Sequence, residues 1–487
     1  MLLNSLKNIS INAAKWNFIA NFGSYVISFF LSIVLARLLE PYEFGLTGML
    51  SIFTALAIVF INAGLSTALI RLKEANAGDY TTVFYFNIIV SVVIYILFYF
   101  FAPLIADFYN EPILINLTRL ISLVFLINSF GIIQNTILIK ELLFKKQAIC
   151  YLAGLGFSTI ISIVMAFNGY GVYSIVGQAI SQAIVTNIAF WIISDWRPLG
   201  WVSKKSFKKL WGFGSKILFT NLISQLVDNI DNILIGKIFS VNTLGFYVRA
   251  KSSKIIPEQV FTNVLQATVF PILSKVNDDD VAFRNYHLKF YNIAAYVIFP
   301  IVAGFMAIAK GFTIVLFTEK WLPSVPLLQI IVLSSISYFL GALFNQTIMA
   351  KGQGSLFLKL NVLKKIVGLV SIPVGLLYGL IPFLWALVII SIVNLCLDFY
   401  FTGKLLKISM YQYANKMILP FLLSIIMGAG VFSLEFCSIE NKYLLLFLQL
   451  VFGVIIYSGL SALFRLDEFL YLKEIVLQKI NKIHLKK

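Results

Sequence analysis

The chain has 487 residues, of which 60% are hydrophobic and 12% charged, with a net charge of +17 and a mean hydropathy of +0.92. Soluble domains carry roughly 25% charged residues, so this composition excludes an ordinary soluble protein. The basic residues lie between apolar segments, where topology and anionic headgroups call for them, so no nucleic-acid partner is expected.

Apolar runs of about 20 residues recur along the chain, each long enough to cross a hydrocarbon core roughly 30 Å thick. Read against their breakers, they predict about 14 spans. The limits are 14–39, 43–70, 80–106, 112–139, 146–168, 171–194, 208–236, 241–273, 283–309, 325–350, 355–379, 381–402, 410–433 and 442–464. The first run is too long for a signal-peptide core and ends in Leu39-Glu40-Pro41, so it is expected to be a retained helix. A basic amphipathic tail, Arg465 to Lys487, follows the last span.

Alternate connections differ in charge: the set that includes both termini holds roughly 26 Lys and Arg, the other about 4. Both termini are therefore expected to be cytoplasmic, which requires an even number of spans. The loops on the far side are short, the longest being Lys310 to Ser324, too small to house an outer-face catalytic domain.

Asn21, Ser24, Arg37 and Gly45 recur as Asn221, Ser224, Lys237 and Gly245, an internal repeat at an offset of 200. Six spans per repeat bring both halves into the membrane from the same side, around an axis along the membrane normal. The expected fold is an all-α polytopic membrane protein. It would have one six-helix lobe over 1–200, a second over 201–405, two additional transmembrane helices over 406–465 and a basic cytoplasmic tail over 466–487.

Lipid-facing helices should be apolar all round, so polar stripes mark an interior or a cavity. Span 7 carries Asn221, Gln225, Asp228 and Asn232 at helical spacing, with Asp231 beside them; span 8 carries Lys251, Lys254, Glu258, Thr262 and Gln266. The matching first-half stripes are uncharged: Asn21, Tyr25, Ser28 and Ser32, then Ser51, Thr54, Ile58, Asn62 and Ser66. Small polar residues also glue helices together, which is the alternative reading of the first-half stripe. Charges at the bilayer centre cost about 2.5–3.5 kcal/mol each even on lenient scales, which favours a cavity in the second half over its alternative, a purely structural ion-pair cluster. Arg37 and Lys237 end spans 1 and 7 on the outer side; Arg119 and Arg249 are expected inside. Lys15, Arg71, Lys73, Lys216, Lys364 and Lys365 read mostly as topology signals, with Asp398 a possible partner for one of them.

Three scattered cysteines (Cys150, Cys396, Cys437) and two isolated histidines (His287, His484) make no metal or triad pattern, and no cofactor is expected. Asp278, Asp279 and Asp280 read as a helix cap before span 9.

Leu35-Ala36-Arg37-Leu38-Leu39, followed by Pro41, Glu43, Phe44, Gly45 and Leu46, is one signature. Gly245-Phe246-Tyr247, Arg249-Ala250, Phe270-Pro271 and the Asp278–Asp280 run form its second-half counterpart. Together they make the chain similar to the polysaccharide-transport family, the Wzx-type O-antigen and exopolysaccharide flippases of the MATE-like MOP superfamily. The resemblance implies a non-enzymatic exporter of undecaprenyl-diphosphate-linked oligosaccharide in the bacterial inner membrane. It would work by alternating access, with a coupling proton or sodium ion. Its partners would be the lipid-linked oligosaccharide, membrane lipids and the glycan polymerase machinery. An anionic diphosphate crossing a low-dielectric region needs fixed cations, for which Arg249, Lys251 and Lys254 are the candidates, with Arg37 and Lys237 near the exit. Asp228, Asp231 and Glu258 are the ion-coupling candidates. Asn21, Ser28, Asn62, Asn221, Gln225 and Asn232 are expected to line the cavity. The competing readings are a MATE-type multidrug antiporter, a peptidoglycan lipid-precursor flippase and a membrane enzyme.

Overall fold

The computed structural model describes residues 2–437 and 439–484, which fold as helices and short connections without a strand. The last three residues of the expected basic tail, 485–487, lie outside the described residues; after Arg465 and Leu466 the rest of it is the helix Asp467–His484.

Eleven helices are long and apolar enough to cross a membrane, and a twelfth span results if the bent pair Leu114–Ser129 and Ile132–Lys140 is one segment. They fall at twelve of the fourteen expected places. The seventh and eighth spans fall short. Their helices, Lys204–Asp228 with Ile230–Ile238 and then Val241–Lys275, are long, but they carry more charge than the helices that pass. Lys204, Lys205, Lys208, Lys209 and Lys216 sit on the first, and Arg249, Lys251, Lys254 and Glu258 on the second. The count of fourteen is not reached on apolar length because the polar residues that mark a cavity also lower the hydropathy of the helices that carry them.

The chain divides into two compact units, 1–248 and 249–487, with the division inside the helix Val241–Lys275. In the first unit Pro41 opens its helix at a position where a missing N–H costs nothing, and Glu40 and Glu43 form a reciprocal cap. Gly45 and Gly245, paired by the sequence repeat, meet where the helices Pro41–Asn62 and Val241–Lys275 cross backbone to backbone. A Cβ on Gly45 would lie 2.1 Å from the Val241 carbonyl oxygen, and one on Gly245 would lie 1.9 Å from that of Pro41. Only glycine permits that approach. From the preceding short helix Ile230–Ile238, Asn232 Nδ2 donates to Ser51 Oγ of Pro41–Asn62 at 2.7 Å.

The second unit is organised around the 38-residue helix Asp280–Phe317. Asp279 caps it, its Oδ1 accepting from the N–H groups of Val281 and Ala282 at 2.9 Å, as expected of this acidic run. His287, isolated in sequence, is fully buried among three helices. Its Nδ1 lies 2.9 Å from Thr347 Oγ1 and its Nε2 2.8 Å from Tyr413 Oη. Tyr291 donates to the Tyr413 carbonyl at 3.0 Å, and Phe344 and Phe399 close the cluster. These contacts fasten the helix Met410–Ser433 to the unit.

Candidate functional site

A cavity of about 500 Å³ opens within the second unit. Its walls come from the helices Val241–Lys275, Ser335–Ala350, Gly354–Gly368 and Leu380–Leu406. Most of the lining is polar: Lys254, Thr262, Gln266, Asn345, Asn361, Lys364, Asn394 and Asp398 all face it. In segments of otherwise apolar helix this is the signature of a wet interior.

Two ion pairs stand in the wall. Lys254 Nζ lies 3.4 Å from Glu258 Oε1 one turn along the same helix and donates to Ser334 Oγ at 2.7 Å. Ser334 is where the expected tenth span breaks into Ser324–Leu333 and Ser335–Ala350. The break leaves the Ile331 carbonyl to accept from the Ser334 hydroxyl at 2.6 Å and from Lys254 at 3.4 Å. Ser335 Oγ donates to Glu258 Oε1 at 2.7 Å, so the 5%-exposed carboxylate is held from two helices. Lys364 Nζ meets Asp398 Oδ1 at 2.5 Å, with Asp398 1% exposed. Gly341 leaves room beside that pair: a Cβ there would lie 3.1 Å from Asp398 Oδ2.

Each pair is neutral, which is how the unit bears four charges at membrane depth. The Lys254 ammonium has its three partners in Glu258, Ser334 and the Ile331 carbonyl, whereas the Lys364–Asp398 pair keeps acceptor capacity in reserve. An ammonium has three N–H donors and a carboxylate about four acceptor sites. Asp398 Oδ2, Asn345 Oδ1 and Asn394 Oδ1 are buried without a hydrogen-bond partner among the described residues. A cavity wall with acceptors in reserve and two ammonium groups can hold an anion at the lysines and a cation at the oxygens.

A second cavity, of about 550 Å³, lies wholly within the first unit, between the helices Pro41–Asn62, Leu114–Ser129, Phe144–Phe167 and Tyr173–Ile193 and the short segments that extend the first two. None of its lining residues is charged. The two cavities use corresponding spans, 2, 4, 5 and 6 in one half and 8, 10, 11 and 12 in the other. Asn62 and Ser66 line the first where Thr262 and Gln266, 200 positions on, line the second.

Of the residues singled out from sequence, Lys254 and Glu258 come together at the charged cavity and Asn62 lines the neutral one. Asp231 and Asn232 sit elsewhere in the first unit: Asp231 Oδ2 accepts from the buried Tyr247 hydroxyl at 2.5 Å. Asp228, Asn221, Asn21 and Ser28 are exposed side chains outside both cavities, and Gln225 and Lys251 are half-buried and also outside. Arg249 is 3% exposed with its guanidinium 3.5 Å over the Phe317 ring, a desolvated cation–π contact. Arg37 is exposed, and Lys237 donates to the Phe108 carbonyl while lying over that residue's ring. Arg119, expected inside, is half-buried over Tyr99 at 4.2 Å.

Sequence reading undervalued Lys364, taken mainly as a topology signal. It also passed over Asn345, Asn361 and Asn394, single amides on apolar helices with no polar periodicity. The one available clue was Asp398, a lone carboxylate within a span that needs a counter-charge.

A family model described as polysaccharide biosynthesis protein matches residues 34–326, more than half of the chain. The chain is 26% identical over 432 residues to the teichuronic acid biosynthesis protein TuaB of Bacillus subtilis (strain 168), covering 87% of this chain and 89% of that protein. It is 25% identical over 425 residues to the lipopolysaccharide biosynthesis protein WzxC of Escherichia coli (strain K12), covering 86% of each. Its fold is similar to that of the lipid II flippase MurJ in an inward closed conformation, with a TM-score of 0.75 at 18% identity, over 92% of this chain and 98% of that one. The chain is thus a multi-pass membrane protein that belongs to the polysaccharide biosynthesis protein family.

Proposed function

We propose that this chain is a flippase that carries an undecaprenyl-diphosphate-linked oligosaccharide from the inner to the outer leaflet of the bacterial plasma membrane. The diphosphate would be held in the charged cavity by Lys254 and Lys364. The observation that carries this reading is that cavity: two ammonium groups, each already neutralised by a carboxylate, facing a largely polar lining between helices. An incoming phosphate can take over the contacts of Glu258 or Asp398, so the anion crosses without leaving a cation bare. The displaced carboxylates are then free to take up a coupling proton or sodium ion. The family and the relatives' roles in teichuronic acid and lipopolysaccharide biosynthesis support a glycan cargo.

In this reading the protein is a transporter and not an enzyme, with both termini cytoplasmic, as the Lys and Arg asymmetry between alternate loops indicates. The repeat at an offset of 200 supports two six-helix lobes, 1–200 and 201–405, followed by two further helices and the tail. The glycan polymerase machinery would receive the product at the outer face.

Deleting the gene and extracting undecaprenyl-linked intermediates tests the proposal. A glycan-bearing lipid should accumulate and remain shielded from a glycosidase added outside intact cells. Unchanged lipid-linked glycans together with altered sensitivity to cationic drugs would replace the flippase with a multidrug antiporter.

A further inference from the structure

We infer that the uncharged cavity of the first unit is a saccharide-binding subsite, built for a neutral, hydroxyl-rich ring. The inference rests on the flippase reading and extends it from the diphosphate to the sugar.

Five amide and five hydroxyl side chains line a space of about 550 Å³, and no lining residue bears a charge. That volume falls in the range of small-molecule sites. Each amide presents both a donor and an acceptor, and each hydroxyl can serve as either. Sugar hydroxyls demand this mixture; an anion would want cations and an apolar drug would want fewer polar groups. Phe125, Tyr151 and Phe190 also face the cavity, with Tyr151 and Phe190 in edge contact at 5.5 Å. Aromatic faces suit the C–H surfaces of a pyranose.

Two lining residues each keep an oxygen packed against a glycine, Asn187 against Gly131 and Thr186 against Gly154. Asn187 and Thr186 are 7% and 6% exposed, yet Asn187 Oδ1 and Thr186 Oγ1 have no hydrogen-bond partner among the described residues. The Asn187 amide nitrogen, by contrast, donates to the Ala183 carbonyl at 2.7 Å and to Asn128 Oδ1 at 3.2 Å, which fixes the side chain. The side chain is thus held in place beside a cavity whose lining bears no charge. The cavity of the second unit is lined by Lys254, Lys364 and Asp398, the chemistry a phosphate needs, whereas this one offers only the neutral donors and acceptors a sugar needs.

The test uses full-length protein in nanodiscs with two probes: synthetic undecaprenyl diphosphate, and the undecaprenyl-diphosphate-linked oligosaccharide extracted from the deletion strain. Wild type should bind the glycan-bearing lipid at least about tenfold more tightly, the worth of one or two hydrogen bonds. Gln182→Leu and Asn62→Leu, on different helices, should each remove most of that preference and leave binding of undecaprenyl diphosphate unchanged. If either variant weakens both probes equally, its role is structural and the inference falls. It falls too if both variants keep the preference, or if wild type has none. No binding of undecaprenyl diphosphate by wild type would instead bring down the flippase reading itself.

Discussion

Asp398→Leu should lower stability by about 3–5 kcal/mol, the usual consequence of stranding one member of a buried ion pair. The stranded group is Lys364, 14% exposed by its side chain and held at 2.5 Å by the carboxylate that is lost. Adding Lys364→Met removes the orphaned charge, so the double variant should recover to within about 1 kcal/mol of wild type, since apolar replacements of buried pairs are often neutral. Glycan export should not recover, because no second ammonium remains in the cavity. Unfolding in detergent and cell-surface glycan, measured on the same three proteins, separate these effects. A double variant that restores both stability and export would make the pair purely structural.

Glu258→Gln combined with Asp398→Asn tests the other half of the mechanism. In the resting protein these carboxylates occupy the lysines that the phosphate needs. Neutralising them should raise affinity for undecaprenyl diphosphate by about tenfold, one charge-assisted hydrogen bond of roughly 1.5 kcal/mol no longer competing. The ligand-free variant should be less stable, with two uncompensated ammonium groups, and added lipid should restore it by mass action. Turnover should fall at least tenfold and cease to respond to the proton or sodium gradient, since the acceptors that would take the coupling ion are gone. Export that stays gradient-dependent would place ion coupling elsewhere, with Asp228 and Asp231 the next candidates.

The fold was legible where hydropathy alone decides it. Twelve expected spans recur, most within a few residues of their limits, because lipid demands an apolar run whatever lies beside it. The two spans that fail the same test are the pair with charged stripes, where Lys254 and Glu258 sit one turn apart on a single helix, so periodicity exposes them. Lys364 and Asp398 lie 34 residues apart on different helices, and nothing in the spacing of one announces the other. Asn128 and Asn187 in the neutral cavity are hidden for the same reason. The repeat at Gly45 and Gly245 was visible as matching letters, but its physical content, a backbone crossing at which any Cβ would collide, required coordinates.

The most direct measurement is photo-crosslinking with undecaprenyl diphosphate carrying a diazirine next to the diphosphate, followed by mass spectrometric mapping. Adducts should concentrate on the charged cavity, near Lys254, Asn345, Lys364 and Asn394, and should be displaced by unmodified undecaprenyl diphosphate. Adducts confined to Arg37, Lys237 or the helix Asp467–His484, with the cavity unlabelled, would contradict the claim that the phosphate of the cargo enters the second unit between those lysines.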